Sequence, residues 1–248
     1  MELALINLFA IALGGCFGSF ASMLIYRLPR YREFIGLYKP RSFCPHCRNQ
    51  LNFFQLIPFA GYIFSKGRCD FCSKKINPTY LFNEFMITFL VLFFIHLLGF
   101  NNILFWAVIT IVFILYVQAM MDLETYLLSQ PLSILLVLLG LIFNIFLNFF
   151  VVPIDAILGL MFGYGLLFTI NLLHKIIRGG DGIGSGDFLF FGGIGSIFGA
   201  SSIGPILLMG SSITLCLYVL KAKKEKELPL GFGLGFGAIF YCMLFIAI

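Results

Sequence analysis

Long apolar runs separated by short polar breaks fill most of this 248-residue chain. Runs close to the ~20 residues a helix needs to cross a bilayer fall at 3–26, 81–99, 102–121, 131–152, 154–173, 187–201, 203–220 and 230–248. The run at 187–201 is short and rich in glycine, so the pattern predicts about eight transmembrane helices. One long hydrophilic segment, Arg27 to Tyr80, interrupts this rhythm between the first and second runs. The expected organisation is a first transmembrane helix at 1–26, a small polar loop domain at 27–80 and a helical membrane domain at 81–248. The fold class that follows is an all-α polytopic membrane protein.

Composition reinforces the pattern. The chain is 60% hydrophobic and only 11% charged, and it contains 32 Phe. A soluble domain of this length could not hide so much apolar surface. The first run carries no basic residue before it; Arg27, the first, follows it. That argues against a cleaved signal peptide and for a retained first span with its N-terminus outside. All 16 Lys and Arg fall in alternate connections: between Arg27 and Lys75, at Lys175 and Arg178, and from Lys221 to Lys226. The positive-inside rule places those connections in the cytosol. Topology thus accounts for the net charge of +5, and no nucleic acid partner is needed.

The hydrophilic segment holds "CPHC" (Cys44, Cys47) and "CDFC" (Cys69, Cys72), with 21 residues between the pairs. Two such knuckles bring four thiolates around one tetrahedral Zn²⁺. Disulfides are the competing use, but a reducing compartment disfavours them. With four sulfur ligands no position stays open for water or substrate, so the expected zinc is structural and folds the loop. His46 reads as a solvent-facing knuckle residue. The remaining cysteines, Cys16, Cys216 and Cys242, lie singly in apolar runs and read as buried packing residues.

Among the acidic residues, Asp122 and Asp187 stand out because each sits at the edge of an apolar run. An aspartate at the centre of a membrane helix costs roughly 2.5–3.5 kcal/mol. Asp122 follows "ITIVFILYVQAMM" and Asp187 precedes "FLFFGGIGSIFG". The two spans between them leave and return, so both carboxylates end at one face. Two carboxylates that cannot readily ionise together can share a proton, one acting as base toward water and the other as acid toward a carbonyl oxygen. The competing reading is that each caps a helix at the interface. Asp155 reads as an early-turn acid that complements a helix dipole, and Asp181 as a turn residue. Glu124, two residues from Asp122, points to another face. Glu84 is open to either a dipole or a ligand role. Gly184 and Gly186 allow close backbone approach before Asp187. The pairs Gly195/Gly199, Gly231/Gly235 and Gly233/Gly237 have the spacing of tight helix contacts.

Taken in order, these motifs resemble the bacterial type IV prepilin peptidases. "GSGD" (Gly184 to Asp187) is similar to the GxGD signature of intramembrane aspartyl proteases, and "MDLETYLL" resembles the segment with the family's first catalytic aspartate. "GSFASMLIYRLPR" resembles its first-span motif, and "PRSFCPHC", "GRCDFC" and "INPTYLFNE" its zinc-containing loop. The resemblance implies that Asp122 and Asp187 are catalytic. It also implies cleavage of a short basic leader from pilin-like precursors of type IV pili and protein secretion, on the cytosolic side of the inner membrane. S-adenosylmethionine-dependent methylation of the new N-terminal residue is implied as well. The chain departs from the family pattern at Leu189, often basic there, at Ser129–Gln130, often Pro-Asp, and at "PLGFG" (Pro229 to Gly233), often Pro-Phe-Gly-Pro. No Rossmann fingerprint accompanies the methyl-transfer assignment. A peptidase without methyl transfer, and a non-enzymatic membrane scaffold whose zinc loop binds a partner, are the alternative readings.

Overall fold

The computed structural model describes residues 2–30, 41–220 and 228–247. Lys221 to Lys226, Glu33, Glu225 and Glu227 therefore lie outside the described residues. Among the described residues there is no strand, and nine α-helices follow one another: α1 (Glu2–Arg27), α2 (Ala60–Phe64), α3 (Thr79–Leu98), α4 (Ile103–Thr125), α5 (Gln130–Leu147), α6 (Pro153–Arg178), α7 (Ser185–Phe198), α8 (Ile203–Leu220) and α9 (Leu230–Ala247). Seven of the described helical stretches are long and apolar enough to cross a membrane. The eighth apolar run forms α7, only 14 residues, which at 1.5 Å per residue is about 21 Å. Breaks fall where backbone chemistry demands them. Gly99 and Gly179 end α3 and α6 with φ of 80° and 77°, the left-handed side that glycine tolerates. Prolines open α5 and α6 within their first two positions, where a missing N–H costs nothing.

The chain divides into two compact units, residues 1–109 and 110–248. In the first, α1 packs along α3. Asn83 Nδ2 donates to Ser22 Oγ at 3.0 Å, and that hydroxyl donates in turn to the Gly18 carbonyl at 3.1 Å. A Cβ at Gly14 would stand 2.5 Å from the Thr88 Cα, so only glycine lets the two backbones approach this closely.

In the second unit α7 is flanked by α5 and α6, and α8 pairs with α9. Gly159 of α6 meets Gly195 of α7 backbone to backbone, and Gly233 and Gly237 of α9 face Gly210 of α8. The expected packing role of the small-residue pairs therefore holds at these positions. Cys242 is buried, as expected, but Cys16 and Cys216 are exposed. Each sits on a helix face that the bundle leaves uncovered, and a thiol is apolar enough to stand there among leucines and phenylalanines.

Candidate active site and metal centre

Asp122 sits in the last turn of α4 and is 5% exposed. The chain turns back sharply just beyond it: Tyr126 has φ of 56°, and its N–H donates to the Asp122 carbonyl at 2.9 Å. The side chain meets the start of α9, where the Phe232 N–H donates to Asp122 Oδ2 at 2.9 Å. A helix start offers unsatisfied N–H groups and a positive dipole end, so it is a natural seat for a carboxylate. Gly231 makes the approach possible. A Cβ there would stand 3.1 Å from Asp122 Cγ and 3.0 Å from both methyls of Leu128. Sequence spacing read Gly231 as a helix-packing residue; its nearest neighbours are the aspartate and Leu128 instead.

Asp187 occupies the third position of α7, after Gly184 at the cap. Its Oδ2 lies against the Gly184 backbone, where an added Cβ would come within 3.1 Å. Its Oδ1 is buried and has no hydrogen-bond partner among the described residues. The loop before it is tied down from α6. Asn171 Oδ1 accepts the N–H groups of Gly182 at 2.8 Å and Ile183 at 3.0 Å, while its Nδ2 donates to Asp181 Oδ1 at 3.0 Å. Lys175 pairs with Asp181 at 3.2 Å. Asn171 and then Lys175 hold the Asp181 carboxyl below its usual range. Asp181 is thus the turn residue its glycine-rich setting implies, and Asn171 is the organiser that sequence reading missed.

Asp122 and Asp187 lie within electrostatic range of each other. Other described acids have partners or exposure of their own. Glu124 is exposed where Asp122 is buried, as expected for a different helix face. Asp155, in the first turn of α6, accepts the Ala200 N–H at 3.2 Å just past the end of α7. Glu84 Oε2 accepts the Phe59 N–H at 2.7 Å in the first unit, so it anchors the polar loop to α3.

That loop carries the thiol tetrad, built from two near-identical knuckles. In each, the first cysteine's N–H donates five residues ahead (Cys44 to the Asn49 carbonyl, Cys69 to the Lys74 carbonyl), both at 2.9 Å. A residue of positive φ, Arg48 or Ser73, follows the second cysteine. Cys44 Sγ lies 3.9 Å from Cys72 Sγ, Cys47 Sγ lies 3.9 Å from Cys69 Sγ, and all four sulfurs fall within 4.8 Å of one another. A tetrahedron with zinc–sulfur bonds of about 2.3 Å has sulfur–sulfur edges of about 3.8 Å. The residues fit a four-thiolate metal site, and His46, exposed, is not among its ligands. The thiols influence one another strongly. Backbone N–H groups of Cys72 and Phe71 bring the Cys69 thiol down to about 7. The Asn49 backbone pulls Cys47 down, yet burial and the neighbouring thiols push it up to about 11. Four thiolates this close need a cation between them.

Seven membrane-length helices, with a four-thiol cluster in the first unit and the Asp122 and Asp187 carboxylates in the second, define a multi-pass membrane protein. Comparison with known proteins carries this further. Residues 12–98 match the bacterial peptidase A24 N-terminal domain, and residues 107–220 match the type IV leader peptidase family. A prepilin leader peptidase/N-methyltransferase of Klebsiella pneumoniae is 32% identical over 202 residues, covering 80% of this chain and 87% of the relative. Proteins of the same description from Stutzerimonas stutzeri (29% identical, 90% of this chain, 85% of the relative) and Neisseria gonorrhoeae (28%, 94% and 89%) are similar over still more of the chain. No solved structure matches it. The chain belongs to the type IV leader peptidase family, a family of aspartic proteases.

Proposed function

We propose that this enzyme removes the short basic leader of pilin-like precursors at the cytosolic face of the inner membrane, with water activated between Asp122 and Asp187. In this reading the N-terminus lies outside, 1–26 is the first span, 27–80 the zinc-binding loop and 81–248 the peptidase domain. The observation that carries it is the pairing of two unlike carboxylates. Asp122 is held at a helix start by the Phe232 N–H, and Asp187 keeps a buried oxygen with no hydrogen-bond partner among the described residues. Two carboxylates in electrostatic range hold one proton between them. The Phe232 N–H donated to Oδ2 favours charge on Asp122, so Asp122 takes the proton of the attacking water. Asp187, whose Oδ1 meets no donor among the described residues, carries the shared proton and delivers it to the scissile carbonyl oxygen.

The four cysteines hold zinc as a closed site that folds the loop. The family relationship also supports methylation of the new N-terminus by S-adenosylmethionine. The described residues do not fit a Rossmann-type methyl-donor cradle, which needs a strand before its glycine turn, so no residue is assigned to that donor. The substrate is met within membrane lipid, and no nucleic acid takes part.

General acid–base pairs contribute roughly 10²–10⁴-fold in rate. Asp122→Asn and Asp187→Asn are each expected to leave a synthetic precursor uncut while the protein stays inserted. Asp181→Asn is expected to cut normally. Normal processing by either of the first two variants rejects the mechanism. For the metal, wild type should carry about one equivalent of zinc and Cys69→Ser much less; full retention in that variant would count against the tetrad.

A further inference from the structure

Gln118 lies one helical turn before Asp122 and is fully buried. A buried amide must find partners for its donors and its acceptor. Gln118 finds them in the turn that follows α4. Its Nε2 donates to the Ser129 carbonyl at 3.0 Å and to Ser133 Oγ at 2.7 Å, and its Oε1 accepts the Ser129 N–H at 2.8 Å. One side chain therefore grips both backbone groups of Ser129, as a neighbouring strand would, and docks the turn against α4.

The residue carried by that grip is Leu128. A Cβ at Gly186, directly before Asp187, would stand 3.2 Å from Leu128 Cβ. A Cβ at Gly231, which abuts Asp122, would stand 3.0 Å from each Leu128 methyl. Leu128 thus touches the backbone beside both aspartates, and it does so only while Ser129 is held in place. An apolar side chain packed against both glycines ties the backbone beside one aspartate to the backbone beside the other.

We propose that Leu128 is the spacer that sets the separation of Asp122 and Asp187, and that Gln118 is the positioning residue that holds it there. The proposal rests on the reading of those aspartates as the catalytic pair. Neither residue is assigned any contact with the leader, so the effect belongs to turnover and not to substrate binding.

The test is a double-mutant cycle on precursor cleavage in the full-length protein. Gln118→Met keeps the side chain's length and removes its hydrogen bonds; Leu128→Ala removes the spacer. Each is expected to lower kcat about tenfold or more, since sub-ångström misplacement is felt at this scale, with KM unchanged. The double variant is expected to be no slower than the worse single one, because Gln118 acts through Leu128. Losses that multiply, an unchanged kcat in Gln118→Met, or a loss carried by KM would overturn the proposal. If Gln118→Met fails to accumulate, Gln118→Asn, whose shorter amide cannot reach both Ser129 groups, replaces it in the cycle. Activity surviving in Asp122→Asn or Asp187→Asn sinks the catalytic reading itself; inactive aspartate variants with a multiplicative cycle sink only the spacer.

Discussion

The Asp122 carboxylate is completed by a backbone N–H that lies 110 positions further along the chain, at Phe232. Gly231 is what lets it come that close. Its φ is not in the left-handed region, so the glycine serves for space and not for conformation. Gly231→Ala would press a methyl toward Asp122 Cγ and the Leu128 methyls. Leucine can yield by a few tenths of an ångström, whereas a hydrogen-bonded carboxylate moves only by lengthening its bond. We expect Gly231→Ala to lower kcat about tenfold or more with little change in melting temperature. Gly165→Ala, where an added Cβ meets nothing, is the control and should cleave like wild type. Equal kcat in the two would show that this close approach is dispensable. The aspartates themselves were legible because a carboxylate at an apolar edge is costly and demands a reason. The cysteines were legible from spacing alone. Gln118, Asn144 and Asn171 were not. A single amide inside an apolar run has no periodic partner in the sequence, and its role appears only once folding supplies the backbone groups it binds.

At the scale of elements, α7 is the unusual one. Its roughly 21 Å falls short of the ~30 Å hydrocarbon core, and a helix that stops early leaves carbonyls with no water to bind. The structure resolves this with side chains from its neighbours. Asn144 of α5, buried, donates through Nδ2 to the carbonyls of Ser196 and Ile197, both at 2.9 Å. Through Oδ1 it accepts the N–H groups of Phe150 at 3.0 Å and Val151 at 3.2 Å. Asp155 then takes the Ala200 N–H just beyond the helix. The dipole role read for Asp155 thus comes with a second one, closing the far end of α7. Asn144→Leu would strip partners from four backbone groups, and each buried unpaired group costs about 1–3 kcal/mol. A loss of about 3 kcal/mol or more in stability is expected, read as a clear fall in melting temperature in detergent. An unchanged melting curve would mean that these groups find other partners. The short, glycine-rich run at 187–201 thus hinted at an irregular element, but nothing in it pointed to the residue 52 positions earlier that closes its end.

For the whole molecule, the question is whether so short a helix counts as a crossing. Chain parity answers it within the second unit. Asp122 ends α4 and Phe232 begins α9, and they are hydrogen-bonded, so both lie at one face. Between them run α5, α6, α7 and α8. A return to the starting face takes an even number of crossings, so α7 must cross along with its three longer companions. The contacts at its two ends agree. The loop before α7 is pinned to Asn171, near the C-terminal end of α6, and the turn after it to Asp155, in the first turn of α6. The apolar runs predict about eight helices, and the charge pattern agrees that α7 crosses, because Lys175 and Arg178 come before α7 and Lys221 to Lys226 after α8; the positive-inside rule needs an even number of passes between them. A thiol-labelling experiment checks the parity directly. In a chain with the exposed Cys16 and Cys216 replaced by Ala, Val152→Cys and Ser201→Cys are expected to react with an impermeant maleimide on intact cells. Gly180→Cys, at the proposed cytosolic face, should react only after permeabilisation. Were Ser201→Cys to behave like Gly180→Cys, α7 would be a re-entrant segment. The start of α9 would then lie on the far side of the membrane from Asp122, and the active-site geometry could not stand.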